Sequence, residues 1–341
     1  MIRIYILLFF ILFSTTSNIF CQTKKDSPRN GEGIHAFLKR HDRTGNEYYD
    51  KFIELNKSKL GKDNSLRKGI KYTLPDIKKS SNASSATTTS TDGSKQVNKL
   101  FGKKYEEYTI RSNKLKGATF FLSSGHGGPD CGAVGYADGR VLHEDEYAYD
   151  ITLRLAKALL EEGATVHMII QDAKDGIRDD KYLSNSDRET CMGTKIPRGQ
   201  KDRLKQRSDK INSLSKASKD KYKRAAFIHL DSRENKQKQI DVYFYHAGSP
   251  DGKRLTKTMR ETFDNHYNRH QPNRGYSGTV TARDLYVLSN TSPVGIYAEL
   301  GNIQNAFDQR RFLDPNNRQA LANWMCRGFI KDYENWKKRN K

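Results

Sequence analysis

The sequence is poor in cysteine. Its 341 residues hold four, Cys21, Cys131, Cys191 and Cys326, too few and too widely spread for a disulfide framework. Acidic residues are also short, 40 Asp and Glu against 61 Lys and Arg, a formal net charge of +21. That excess suits a polyanion: nucleic acid, a membrane surface or a cell wall. No phosphate-binding loop, dinucleotide fingerprint or Ser-His-Asp arrangement is visible, so nucleotide and serine-nucleophile chemistry are unsupported. No internal repeat is visible. Beyond the first twenty residues no apolar run reaches the roughly 18 residues that a bilayer-spanning helix needs. Aromatics at 10 % argue against wholesale disorder.

What is present begins with an export signal. Met1-Ile2-Arg3 is a short positive start, Ile4 to Phe13 is one apolar run, and polar residues follow up to Cys21-Gln22. A basic start, a short apolar segment and a small residue before a polar stretch read as a secretory signal over residues 1–21, cleaved after Cys21. An acylated Cys21 is the alternative, though Ile19 and Phe20 are bulky residues to precede it. The expected mature chain is exported to the periplasm or cell envelope without an integral membrane segment, which argues against nucleic acid as partner. Three cysteines then remain, either as three thiols or as a Cys191–Cys326 pair with Cys131 free.

Residues 80–91 read SSNASSATTTST. Without a large apolar residue they cannot build a core. A linker over 77–99 therefore separates a small module at 31–76 from a large domain at 100–338. In the module, Ile34, Phe37 and Leu38 have helical spacing, and Tyr48, Phe52 and Leu55 suggest a second helix ending near Asn56. Ile70, Tyr72 and Leu74 alternate as a short strand before Pro75. With Gly33, Asn56 and Leu66…Gly69…Tyr72…Leu74-Pro75 in these places, the module resembles LysM. That resemblance implies a strand-helix-helix-strand unit binding N-acetylglucosamine-containing glycans; a spacer role is the alternative.

The large domain alternates strand and helix patterns. Strands are expected at 118–122, 165–170, 225–230, 242–245, 285–288 and 296–300. Helices are expected at 144–162, 204–214, 255–263 and 318–336, with 172–202 charged and irregular. This predicts an α/β fold, a single mixed sheet flanked by helices on both faces.

Four positions carry candidate chemistry. His126 lies in Ser124-Gly125-His126-Gly127-Gly128, just past the first strand, where glycines let the chain turn sharply. Glu144 opens the long helix in Leu142-His143-Glu144-Asp145-Glu146, where carboxylates also suit the helix dipole. His229 lies in a strand between Ile228 and Leu230. Glu299 ends another strand, where an unpaired carboxylate is costly to bury. Two histidines and one carboxylate match an open catalytic zinc site with water as fourth ligand, and a further carboxylate would serve as general base.

The order of these pieces resembles the zinc-dependent N-acetylmuramoyl-L-alanine amidases over residues 117–335. They are GHGG at 125–128, Gly132-Ala133, Glu144 with Ile151, Leu155 and Leu159, Leu204…Arg207…Asn212, Ile228-His229, and Glu299…Gly301…Asn305. The resemblance implies zinc held by His126, Glu144 and His229, with Glu299 as catalytic carboxylate. His143 and Glu146 are alternatives to Glu144, and Arg207 and Asn212 are assigned to holding helix and sheet together. Ser124, Cys131 and Leu230-Asp231 depart from the family pattern. The implied partner is peptidoglycan, cut between N-acetylmuramic acid and L-alanine. The alternatives are an inactive wall-binding protein of amidase fold and a zinc peptidase acting on wall peptides.

Overall fold

The computed structural model describes residues 24–30, 32–43, 46–61, 64–76, 95–231 and 238–340. The expected signal at 1–21 and the Ser/Thr-rich stretch at 80–91 lie outside them. The chain divides into two compact units at residue 82.

The first unit runs β1 (Lys25–Asp26), α1 (Ile34–Arg40), α2 (Asn46–Asn56) and β2 (Tyr72–Thr73), with the two strands antiparallel. Its first strand precedes the expected start at residue 31, because Lys25 and Asp26 pair with Thr73 and Tyr72. Phe37, Phe52, Tyr72 and Leu74 form its core. Leu55, expected on the apolar face of α2, is 45 % exposed. One residue on, Asn56 is fully buried and joins helix to strand: its Nδ2 donates to Phe52 O and Thr73 O, and its Oδ1 accepts from Thr73 N. Ile70 is also exposed, so the strand is shorter than the alternation suggests.

The second unit opens with the hairpin β3 (Lys95–Val97) and β4 (Glu107–Thr109), then β5 (Ala118–Ser124) and the hairpin β6 (Val134–Ala137) and β7 (Arg140–His143). There follow α3 (Glu144–Glu161), β8 (Thr165–Met168), β9 (Ile170–Gln171), β10 (Thr190–Cys191), β11 (Thr194–Lys195) and α4 (Gln200–Ala217). Next come β12 (Tyr222–Asp231), β13 (Tyr243–His246), α5 (Pro250–His270), β14 (Thr279–Ala282) and α6 (Tyr286–Ser289). The chain closes with β15 (Val294–Asn302), α7 (Ala306–Leu313) and α8 (Pro315–Arg339). The central sheet has the order β14-β13-β15-β12-β5-β8. The β8, β5, β12 and β15 strands are parallel; β13 runs antiparallel to β15 and carries β14 parallel to itself.

Strand alternation divides the core between the two faces. Phe120, Leu122, Ala226, Ile228, Ile296, Ala298 and Phe244 point one way, into a cluster with α3, α5 and α8. Phe121, Ala225, Phe227 and Tyr245 point the other way, against Ile211 of α4 and Val287 and Leu288 of α6. This is the expected mixed sheet with helices on both faces. Cys191 belongs to the second cluster and Cys326 to the first, so the sheet lies between them and the Cys191–Cys326 pair does not form; all three described cysteines are free.

The segment expected as a strand at 285–288 is instead α6. Leu288 N and Ser289 N both donate to Leu285 O, and Asn290 N donates to Tyr286 O. A run this short carries no period that separates helix from strand. Within the irregular 172–202 stretch, β10 pairs with β9 and β11. Arg318 and Arg154 both grip the buried Asp150, at 2.6 and 2.8 Å, which locks α8 to α3.

Candidate metal centre

The chain leaves β5 on the outer side towards β8 and returns on the inner side as β12. Such a reversal opens a crevice at the carboxyl ends of the strands. His126 follows β5 at that crevice and His229 stands near the end of β12. Gly125 N donates to Ile228 O at 2.7 Å, which carries the ladder one step past β5. A Cβ on Gly125 would lie 2.3 Å from the His229 ring, so only glycine fits there. His126 has φ +54°, a left-handed conformation unusual for a residue with a side chain. The loop is held by Arg207 of α4, whose guanidinium donates to the carbonyls of Ser124 and His126. Asn212 ties α4 to the α6–β15 turn through Asn290 O and Ser292 N. Both residues have the structural role expected of them.

His126 Nδ1 lies 2.8 Å from Asp130 Oδ2, and Arg203 holds that carboxylate at 2.6 Å. The opposite nitrogen, Nε2, faces Glu144 Oε2 at 3.2 Å. Glu144 is the first residue of α3 and is 3 % exposed. Its Oε2 accepts from Ala133 N at 2.8 Å, and its Oε1 accepts from Leu230 N at 3.1 Å and meets His229 Nδ1 at 2.8 Å. The His229 ring lies flat on Tyr297, centroids 4.3 Å apart. Donor atoms of His126, Glu144 and His229 all lie within 4.8 Å of one another.

Neither alternative to Glu144 joins this group. His143 lies one residue outside the helix, and Glu146 pairs with Arg178 at 2.7 Å. Glu299 pairs in register with His229 across the parallel β12–β15 ladder, so the two side chains share one face of the sheet. Glu299 is half-buried, beside the three-residue group.

The charges of the group are interdependent. Burial pushes Glu144 up, but hydrogen bonds and attraction from His126 and His229 outweigh it and hold the carboxyl low. Burial pushes His126 down, but Asp130 and Glu144 outweigh it and raise the imidazole to about 10. Burial lowers His229, with Glu144 opposing and His126 reinforcing the shift. A buried carboxylate between two imidazoles thus draws a positive charge into the pocket. Two imidazoles and one carboxylate are also the donor set of an open zinc site, so these residues fit that metal.

Two contributors, Asp130 and Tyr297, escape a reading of the sequence. Asp130, which orients His126, is signalled only by its spacing of four. Tyr297 backs His229 because it lies two residues before Glu299 on the same face. Gly132, at φ +70°, leaves room for the site: a Cβ there would lie 2.6 Å from the His126 ring and 2.7 Å from Glu144 Oε2.

Residues 120–331 match the family model Amidase_3, N-acetylmuramoyl-L-alanine amidase. The chain belongs to this family. It is 28 % identical over 215 residues to the probable cell wall amidase LytH of Staphylococcus aureus, a match covering 62 % of this chain and 57 % of that protein. Among solved structures it is similar to an N-acetylmuramoyl-L-alanine amidase of Clostridium difficile 630, with 19 % identity and a TM-score of 0.47, covering 64 % of this chain and 97 % of that one. For the amidase AmiC2 of Nostoc punctiforme the identity is 20 % and the TM-score 0.46, covering 65 % and 99 %.

Proposed function

We propose that the protein is an exported zinc amidase that hydrolyses the bond between N-acetylmuramic acid and the L-alanine of peptidoglycan stem peptides. The observation that carries this reading is the meeting of His126, Glu144 and His229 at the end of one sheet, with Glu299 in register beside them. The family match supports the bond cut. The basic balance of the chain suits an anionic wall, and the signal-like first residues suit an enzyme working in the envelope. No helix among the described residues is long and apolar enough to cross a membrane.

His126, Glu144 and His229 would hold the zinc. Bound there, zinc supplies Lewis acidity towards the scissile carbonyl and towards water. Asp130 fixes the His126 ring so that Nε2 faces inwards, and Tyr297 fixes the plane of His229. Glu299 takes a proton from the attacking water and returns one to the departing alanine nitrogen as the C–N bond breaks. The small N-terminal module would hold glycan strands, and its tether would raise the local concentration of enzyme at the wall.

Chelation tests the metal assignment. A chelator should abolish hydrolysis of a soluble muramoyl peptide, and added zinc should restore it. Full turnover by metal-free protein would refute the assignment.

A further inference from the structure

Three carboxylates lie apart from the group just described. Asp145 and Glu146 follow Glu144 in the first turn of α3, and Glu189 stands one residue before β10. One oxygen from each lies within 4.8 Å of one from each of the others. Their exposures are 2, 1 and 6 %. Asp145 Oδ1 accepts from Glu146 N at 2.9 Å, Glu146 Oε2 pairs with Arg178 at 2.7 Å, and Glu189 Oε2 accepts from Gly128 N at 2.8 Å. Asp145 Oδ2 and Glu146 Oε1 are buried with no hydrogen-bond partner among the described residues.

Acidic residues in a first helical turn ordinarily meet the helix dipole from solvent. Here they are buried, and the dipole leaves two oxygens without a ligand. Fully ionised, the three carboxylates against the Arg178 guanidinium would carry two net negative charges, which one divalent cation would neutralise. Uncompensated charge is costly to bury.

We propose that Asp145, Glu146 and Glu189 bind a hard divalent cation, of the calcium or magnesium kind, at a site separate from His126, Glu144 and His229. The donors are all carboxylate oxygens, which suit hard cations rather than soft metals. The site has a mechanical role. Glu189 holds Gly128 in the loop that carries His126, and Asp145 adjoins Glu144 at the start of α3. The cation therefore ties the His126 loop to the helix that supplies Glu144.

The test uses the full chain loaded with one equivalent of zinc and freed of other metals. It is equilibrated with Ca²⁺, Mg²⁺ or Mn²⁺, and its bound metal and melting temperature are measured. Tb³⁺ serves as a luminescent calcium substitute. The expected result is a second equivalent of ion and a melting point raised by about 3 °C or more. Tb³⁺ luminescence should be displaced by Ca²⁺ and should persist in His126→Ala. Glu189→Gln and Asp145→Asn should each lose the second ion and keep the zinc. If one of these variants does not fold, the other and the wild-type Tb³⁺ titration still decide. A wild type that binds zinc alone and melts at the same temperature with or without the cations would overturn the proposal. So would Tb³⁺ binding that is lost in His126→Ala but kept in Glu189→Gln.

Discussion

His229 and Glu299 are in-register neighbours on two parallel strands, β12 and β15, so their side chains leave the same face of the sheet a strand spacing apart. In the proposed reaction that pairing gives the two residues separate tasks: His229, which meets Glu144, would belong to the metal-holding group, and Glu299 beside it would be the proton acceptor. The Glu299→Gln substitution keeps shape and removes the acceptor. Hydrolysis of a soluble muramoyl peptide should fall by about 10²–10⁴-fold, and zinc content should stay near that of the wild type. Loss of zinc would make Glu299 a ligand; unchanged turnover would move proton transfer to another group.

The metal assignment predicts a graded series. His126→Ala or His229→Ala should abolish stoichiometric zinc. Asp130→Asn leaves His126 in place but weakens the bond that orients its ring, and zinc affinity should fall only about 10–100-fold. Metal analysis showing full occupancy in either alanine variant would remove that histidine from the site.

Gly132 offers a test that touches no donor atom. A methyl group there meets both His126 and Glu144, and φ +70° disfavours any side chain. Gly132→Ala should therefore lose zinc while its far-ultraviolet circular dichroism is unchanged. Normal zinc affinity in this variant would show that the pocket yields more than its close packing implies.

Acid should destabilise the large unit through His266. Its ring lies parallel to Trp324 between α5 and α8, and burial followed by the charge of Arg327 lowers it from 6.5 to about 3. The unfolded chain takes up this proton first. The stability contribution is therefore complete above about pH 6.5 and is lost as the pH falls towards 3. His266→Gln should show a shallower fall in melting temperature between pH 7 and 4 than the wild type. Parallel melting curves would assign the acid sensitivity to other groups.

The N-terminal module gives an expectation on substrate form. Deleting residues 22–95 should leave turnover of soluble muropeptides intact and lower activity on insoluble sacculi, where tethering matters. Equal activity on sacculi would leave the module a spacer.

Much of the site was legible because it rests on residues with few other uses. A His within a Gly run, a Glu at a helix start and a His within a strand are each ordinary, but their order on alternating strands and helices placed them at one end of the sheet. The α6 segment misled because Tyr286, Val287 and Leu288 are apolar and too few to show a period. Leu55 misled because helical spacing does not reveal that the neighbouring Asn56 is held inside by the backbone of Thr73. Asp130 and Tyr297 act through contacts that depend on a loop turn and a strand register, neither of which a linear sequence displays. The buried cluster at Asp145, Glu146 and Glu189 was hidden for a similar reason, since Glu189 lies more than forty residues along the chain.

The proposed amidase reaction is tested most directly by digesting purified peptidoglycan and reading the released products by mass. The zinc-loaded protein should release free stem peptides that begin with L-alanine and leave the glycan strands intact. Shortened peptides still attached to muramic acid would contradict the amidase assignment and make the same site that of a peptidase.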